Sequence, residues 1–129
     1  MKTAEELNYL SKEILDAAIS VHKEMGPGLL EAVYHHCMKK ELSLREIRSV
    51  SMVPIPLIYK GYSLHKDYII DILVEDEIIL ELKSIEGILP VHEAQIISYL
   101  KLADKRLGFL VNFNVPLLKK GFRRFVNRF

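Results

Sequence analysis

Apolar positions recur at spacings of three and four near the amino terminus. Leu7, Leu10, Ile14, Ala17, Val21 and Met25 make one stripe, the pattern of an amphipathic helix. Thr3 and Glu6 form a capping box ahead of it. Gly26-Pro27-Gly28 ends it, because glycine suits the cap position and proline cannot extend the ladder. A second helix is predicted from about Leu29 to Leu44, with Leu30, Val33, Cys37 and Leu44 facing inward. The pattern changes at Val50. From there to Tyr62 the residues are β-branched or apolar, broken by Pro54 and Pro56, which predicts an edge strand or a bulged one. Residues 67–75 and 77–84 read as two further strands around a tight acidic turn. Pro90 opens a helix to about Ala103, with Ala94, Ile97 and Leu100 predicted to pack on the sheet, and "RLGFLVNF" reads as a buried strand. "GFRRFVNRF" closes the chain as a short strand or helix. As a strand it puts Phe122, Arg124, Val126 and Arg128 on one side and Arg123, Phe125 and Asn127 on the other. The order α-α-β-β-β-α-β, then this short element, predicts one mixed α/β domain over residues 1–129. It would be a central mixed β-sheet flanked by helices, with a largely antiparallel start and one βαβ crossover.

Within "DYIIDILVEDEIILELKSIEG", residues 67–87, charges interrupt strands otherwise fit for a core. Burying a lone carboxylate costs several kcal/mol, so buried charges are expected to be paired or metal-bound. Alternation puts Glu81 and Lys83 on one face of their strand, and Asp71 with Ile69 and Leu73 on one face of its own. If the hairpin is symmetric about Asp76, residues 71 and 81 lie opposite each other, with Cβ atoms ~4.5–5.5 Å apart. A two-residue turn would shift that register by one unless a bulge compensated. Two apposed carboxylates beside a lysine oppose folding unless a cation sits between them, and hard oxygen ligands suit magnesium or manganese over zinc or copper. The competing account is an Asp-Lys-Glu ion-pair network on a solvated face; the apolar surroundings favour a site.

Two smaller clusters accompany this one. Gln95 and Tyr99, four apart, stack on one helix face, which alone describes an ordinary helix surface. Gly28, Glu31 and Tyr34 follow the first helix, and Glu31 falls in a first turn where the helix dipole favours negative charge. The stretch "GPGLLEAVY" lacks the Gly-Lys-Ser/Thr ending of a phosphate-binding P-loop.

Composition bounds the rest. Of 129 residues, 50% are hydrophobic and 27% charged, ordinary for a soluble domain. No apolar run approaches the ~20 residues of a membrane span. "MKTAEELNYL" has no signal-peptide pattern, so a cytoplasmic location is expected. A lone Cys37 excludes an internal disulfide and a cysteine-rich zinc site, and is expected to be a buried apolar residue. Histidines 22, 35, 36, 65 and 92 show no ligand pattern, and the adjacent His35 and His36 should point in different directions. The net charge of +1 is unevenly spread: residues 1–100 hold 10 Lys/Arg against 16 Asp/Glu, and residues 101–129 hold 8 against 1. A basic end on an acidic body points to a polyanion partner, with Lys119, Lys120, Arg123, Arg124 and Arg128 as phosphate contacts. A solvated charged tail is the alternative.

"GLLEAVY" resembles the signature of the small bacterial and archaeal GxxExxY proteins, members of the PD-(D/E)XK nuclease superfamily with its restriction-endonuclease-like fold. The resemblance runs from the first helix through "NFN" to the basic end. Asp71, nine residues, then Glu81-Leu82-Lys83 matches the Asp…Glu-x-Lys core. Gln95-x-x-x-Tyr99 matches the motif that often follows, and Glu31 matches a helix glutamate that supplements the metal site. Ile70 stands where the superfamily's nominal proline would be, a proline that is often absent. By this resemblance Asp71, Glu81 and the Leu82 carbonyl would bind Mg²⁺ (or Mn²⁺), and Glu31 would hold a metal-bound water or a second ion. Lys83 would position or activate the attacking water, and Gln95 and Tyr99 would touch the metal site or the nucleic-acid backbone. The reaction would be phosphodiester hydrolysis by water, without a covalent enzyme intermediate, on nucleic acid, with DNA favoured. The rival is a nuclease fold that binds nucleic acid or protein without cutting. A glycosidase is a distant third, since no tryptophan platform exists and Lys83 would have no role. A domain this small would need a second copy, as a homodimer, to cut both strands at once. Sequence-specific cutting is not expected, because no further domain is present to read base edges.

Overall fold

A computed structural model describes residues 1–129. Two helices, α1 (Ala4–Met25) and α2 (Glu31–Leu44), precede strands β1 (Ser49–Tyr59), β2 (Tyr62–Val74) and β3 (Ile78–Lys83). Helix α3 (Pro90–Ala103), strand β4 (Leu107–Asn112), a 3₁₀ turn (Leu118–Gly121) and β5 (Phe122–Val126) follow. The five strands lie in chain order in one sheet. Only β3 and β4 run parallel, joined through α3; the other neighbours are antiparallel. The predicted mixed α/β order is observed, and the short terminal element is a strand. No helix is long and apolar enough to cross a membrane.

One core cluster joins α1 and α2 to one face of the sheet, and a second joins α3 to the other. The β3–β4 pair is therefore buried on both faces, as parallel strands usually are. The capping box forms as predicted: Thr3 Oγ accepts the Glu6 N–H and Glu6 Oε1 accepts the Thr3 N–H, both at 3.1 Å. The stripe from Leu7 to Val21 is buried, but Met25 is exposed where α1 runs past the core.

Two helical faces differ from expectation. In α2 the inward residues are Tyr34, Met38 and Leu42, whereas Leu30 and Leu44 are exposed and Cys37 is only partly buried against the core. The Tyr34 ring stacks on Phe113 with centroids 4.5 Å apart and planes 5° off parallel, and that large contact sets the rotation of the helix. In α3 the buried residues are Ile96, Tyr99 and Leu100, while Ala94 and Ile97 are exposed. Gly108 accounts for this phase: a Cβ there would lie 3.2 Å from both Ile96 Cδ1 and Leu100 Cδ2, so the missing side chain lets α3 settle onto β4.

β1 is an edge strand and also carries a register shift between Pro56 and Ile58, joining both readings of its prolines. It ends earlier than predicted, at Tyr59. Lys60 and Gly61, with φ of 49° and 82°, make the tight turn into β2, which starts at Tyr62 instead of residue 67. At the next hairpin, Glu75 and Asp76 are both left-handed and Glu77 N–H closes onto the Val74 carbonyl at 2.9 Å. Because Val74 pairs with Ile78, Glu77 is the extra residue that preserves a register symmetric about Asp76.

Gly121, the last residue of the 3₁₀ turn before β5, is tightly constrained, since a Cβ there would sit 2.2 Å from the Asn112 carbonyl oxygen. Gly121→Ala should destabilise the protein by about 1–3 kcal/mol. In urea this should appear as a lower midpoint with an unchanged slope; an unaltered midpoint would mean that β5 shifts at no cost.

Candidate active site

The β2–β3 ladder has three rows, Val74↔Ile78, Leu73↔Ile79 and Ile72↔Leu80. The next row would pair Asp71 with Glu81, and there side chains replace backbone partners. Glu81 Oε2 accepts the Asp71 N–H at 2.8 Å, and Asp71 Oδ2 accepts the Leu82 N–H at 2.8 Å. On the other flank, Ser51↔Ile72 and Val53↔Ile70 bracket a missing Met52↔Asp71 row, and Met52 is left-handed with φ 57°. A non-glycine residue in that region costs on the order of 1–3 kcal/mol and is typical of functional sites. Asp71 therefore stands where the sheet opens on both sides.

Electrostatics at this opening are unfavourable to anions. Glu81 is only 4% exposed; burial and then repulsion from Asp71 push its carboxyl up to about 8, against the Asp71 N–H and Lys83. Burial also raises Asp71, opposed by the Leu82 N–H, Lys83 and His35. Glu31, in the first turn of α2, is raised by partial withdrawal from water and then by Asp71. None of these three carboxylates, nor Lys83, belongs to any ion pair within 4.0 Å. The Asp-Lys-Glu ion-pair network is thus absent, although Lys83 is close enough to act on all three electrostatically.

The second helix layer reaches the same place. Tyr99 is buried, its hydroxyl accepts from Gln95 Nε2 at 3.0 Å, and its ring contacts Tyr68 with centroids 5.1 Å apart. Burial and the charges of Glu81 and Asp71 raise the Tyr99 hydroxyl. Glu31 from α2 and Tyr99 from α3 are both within electrostatic reach of Asp71 and Glu81.

Positioning depends on residues that sequence reasoning passed over. Tyr34, noted only beside Glu31, donates its hydroxyl proton to the Gly26 carbonyl and accepts the Leu29 N–H at 3.1 Å, fastening the Gly-Pro-Gly loop that sets Glu31. Ser84, next to Lys83, donates to the Leu29 carbonyl and ties the end of β3 to that loop. Asn112 lies in the row of Lys83; its side chain accepts the Ile85 N–H at 3.1 Å and donates to the Ile85 carbonyl at 2.9 Å. His35 Nε2 lies 3.0 Å from Ser51 Oγ, and His35, Lys39, Glu31 and Asp71 help to line a cavity of about 710 Å³. The available signal was spacing: Glu31, His35 and Lys39 are four apart on one helix face.

The arginines of the basic end have partners of their own. Arg123 pairs with Glu93 at 3.2 Å, and Arg128 with Asp104 at 3.1 Å. Arg124 donates to Asn8 at 3.1 Å and lies over Phe129. Arg123 and Arg124 occupy opposite faces of β5, as alternation predicts, while Lys119 and Lys120 are exposed on the 3₁₀ turn.

The family model of the PD-(D/E)XK nuclease superfamily matches residues 8–125. The chain belongs to that superfamily. No curated protein and no solved structure matches it. The mixed five-stranded sheet and its element order agree with the restriction-endonuclease-like fold of PD-(D/E)XK proteins.

The raised Glu81 carboxyl makes stability depend on pH. Between about 4.5 and about 8 the folded state keeps a proton that the unfolded chain releases, so stability present below this window is lost as pH rises through it. In chelator, Glu81 should contribute a loss on the order of a few kcal/mol across the window. Glu81→Gln keeps an acceptor for the Asp71 N–H and should flatten the profile. Urea midpoints compared at the two ends of the window check this; equal pH slopes in both proteins would refute it.

Proposed function

We propose that this chain is a metal-dependent nuclease of the GxxExxY group, hydrolysing phosphodiester bonds of nucleic acid, DNA in the first place, with water as nucleophile. The carrying observation is the apposition of Asp71 and Glu81 at the opening of the sheet, with no cationic side chain within 4.0 Å of either. A hard divalent cation, Mg²⁺ or Mn²⁺, would relieve the repulsion that raises Glu81. No group of three His, Cys, Asp or Glu side chains is placed to hold a metal ion; the ligand pair here is Asp71 and Glu81, and magnesium commonly takes one or two carboxylates and keeps waters.

Each carboxylate has one oxygen engaged by a backbone N–H and the other free to face a ligand. The Leu82 carbonyl would join them, since N–H and C=O of one strand residue point to the same side and the Leu82 N–H already faces Asp71. Glu31, at the rim, would hold a metal-bound water or a second ion. When bound, the cation would polarise the phosphate and make water a competent nucleophile near neutral pH. Lys83, free of ion pairs, would orient the attacking water or hold the scissile phosphate. Tyr99, braced by Gln95 and Tyr68, would close the α3 side of the opening against bulk water and contact the substrate backbone.

Asp71→Asn tests this reading through activity and stability together. It should abolish metal-dependent cleavage while leaving the metal-free protein as stable as wild type or more so. Magnesium at a hundredfold excess over its dissociation constant should stabilise the wild type by about 2.7 kcal/mol, and the variant should lose most of that gain. A variant that is destabilised by about 3–5 kcal/mol, as on breaking a buried ion pair, yet responds to magnesium like wild type would overturn the metal site. Lys83→Ala should lower the turnover number while leaving the magnesium-induced thermal shift intact.

A further inference from the structure

Residues 58–69, the end of β1, its turn and most of β2, are exposed without interruption. Ile58 and Tyr59 pair with Ser63 and Tyr62, Asp67, Tyr68 and Ile69 pair with Pro56, Ile55 and Pro54 of β1, and β2 meets β3 no earlier than Ile72. The β1–β2 pair thus runs beyond the sheet as a two-stranded ribbon whose tip is wet on both faces, while at its base Ile55 is buried and Tyr68 packs on Tyr99. It carries Ile58, Tyr59, Tyr62 and Leu64, all large and all exposed. A bare ribbon of this kind is marginal in water, and exposed apolar side chains in such number mark an interaction surface.

The form of the ribbon selects its partner. Addition of a strand from a second copy is opposed by Pro54 and Pro56 on the edge strand at its base. A flat docking face would leave one side apolar and the other polar, whereas here both sides carry exposed side chains, which suits a partner that surrounds the ribbon. The charge is also distinct: residues 58–69 hold Lys60 and Lys66 against one carboxylate, Asp67, in a chain whose first hundred residues are net acidic. Tyr59 and Tyr62 face each other across the tip, and Lys60 Nζ lies 5.4 Å from the Tyr59 ring centroid. The major groove of B-form DNA, about 12 Å wide and about 8.5 Å deep, admits a two-stranded ribbon; the deep, narrow major groove of duplex RNA does not. At its base the ribbon is continuous with the candidate site, through the Tyr68–Tyr99 contact and through β2 itself, which leads into Asp71.

We infer that the β1–β2 ribbon is a grip for duplex DNA, entering the major groove with Tyr59 and Tyr62 at its tip and Lys60 and Lys66 toward phosphates. It would make double-stranded DNA the substrate of the adjacent site, and in that respect it rests on the nuclease reading. Two exposed double variants of the full chain test it, Tyr59→Ala with Tyr62→Ala and Lys60→Gln with Lys66→Gln. Binding to a labelled DNA duplex, the corresponding single strand and duplex RNA is measured with calcium replacing magnesium, over a range of salt. Sedimentation and hydrolysis of bis(p-nitrophenyl) phosphate are followed in parallel. The wild type should prefer duplex DNA. The tyrosine pair should weaken duplex binding by about tenfold or more, and the lysine pair should lower the salt slope by about 2. Single-strand binding and hydrolysis of the small diester should stay at wild-type values. Duplex affinity and salt slope unchanged in both variants would overturn the grip. So would variants that turn a dimer into a monomer without loss of duplex binding, since the ribbon would then belong to a second copy. A wild type that binds duplex DNA through the ribbon but hydrolyses no phosphodiester would support the grip and sink the nuclease reading alone.

Discussion

Two carboxylates each take the backbone N–H that a neighbouring strand would otherwise have used. Asp71 N–H goes to Glu81, and Leu82 N–H goes to Asp71. This exchange lets β2 and β3 part without leaving donors unsatisfied, and no buried side-chain polar atom in the protein lacks a partner. It also holds two carboxyl groups beside each other in a place where burial disfavours the charged form of both. Backbone satisfaction and electrostatic repulsion therefore come from the same pair of side chains. A neutral pair of amides could accept the same N–H bonds without the repulsion, so hydrogen bonding alone does not account for the choice of acids.

The surrounding structure keeps that arrangement from relaxing. A glutamate as buried as Glu81 could in principle swing toward water, but Leu80 and Leu82 on either side are fully buried, and β3 is flanked on both sides by strands. Tyr34 and Ser84 join the loop before Glu31 to the residue after Lys83, so the α2 contribution moves with the end of β3. Asn112 clamps the chain leaving β3 from the neighbouring parallel strand. These bonds are made by buried or half-buried polar groups, for which a lost partner costs about 1–3 kcal/mol each. Rigidity at the opening thus rests on neutral hydrogen bonds outside the charged cluster, which leaves Lys83 without a structural partner.

Much of this was legible from the chain alone. The 3–4 spacing and capping box placed α1, and the prolines placed β1 at an edge. The Asp76-centred register was one of two that the residue count allowed, and Glu77, the extra residue in the turn, is what selects it. Helix rotation was less legible. Leu30, Leu44 and Ile97 are as apolar as the residues that displaced them, and the deciding contacts, Tyr34 on Phe113 and α3 on Gly108, join positions distant in sequence. The same holds for Ser84 and Asn112, whose roles exist only once β3 and β4 are parallel neighbours. His35 was discounted for lack of a ligand pattern, yet its i, i+4 relation to Glu31 already put both on one face.

The basic residues show how far composition can carry an argument about surface. Seven net positive charges after residue 100 point to a polyanion, but strand alternation sends Arg123 and Arg124 to opposite faces, and Arg123 and Arg128 are paired with carboxylates. Exposed ion pairs of this kind contribute about 0–1 kcal/mol, so they could reopen toward phosphates at little cost. Direction adds a constraint, because Arg123 and Arg124 lie on opposite faces of β5, one held by Glu93 of α3 and the other by Asn8 of α1. The ribbon at the opposite edge has fewer charges but a single projecting axis, with its base beside Asp71. On the proposed reading, charge count would draw a polyanion to the protein generally, and alignment with the carboxylates would decide where its backbone comes to lie.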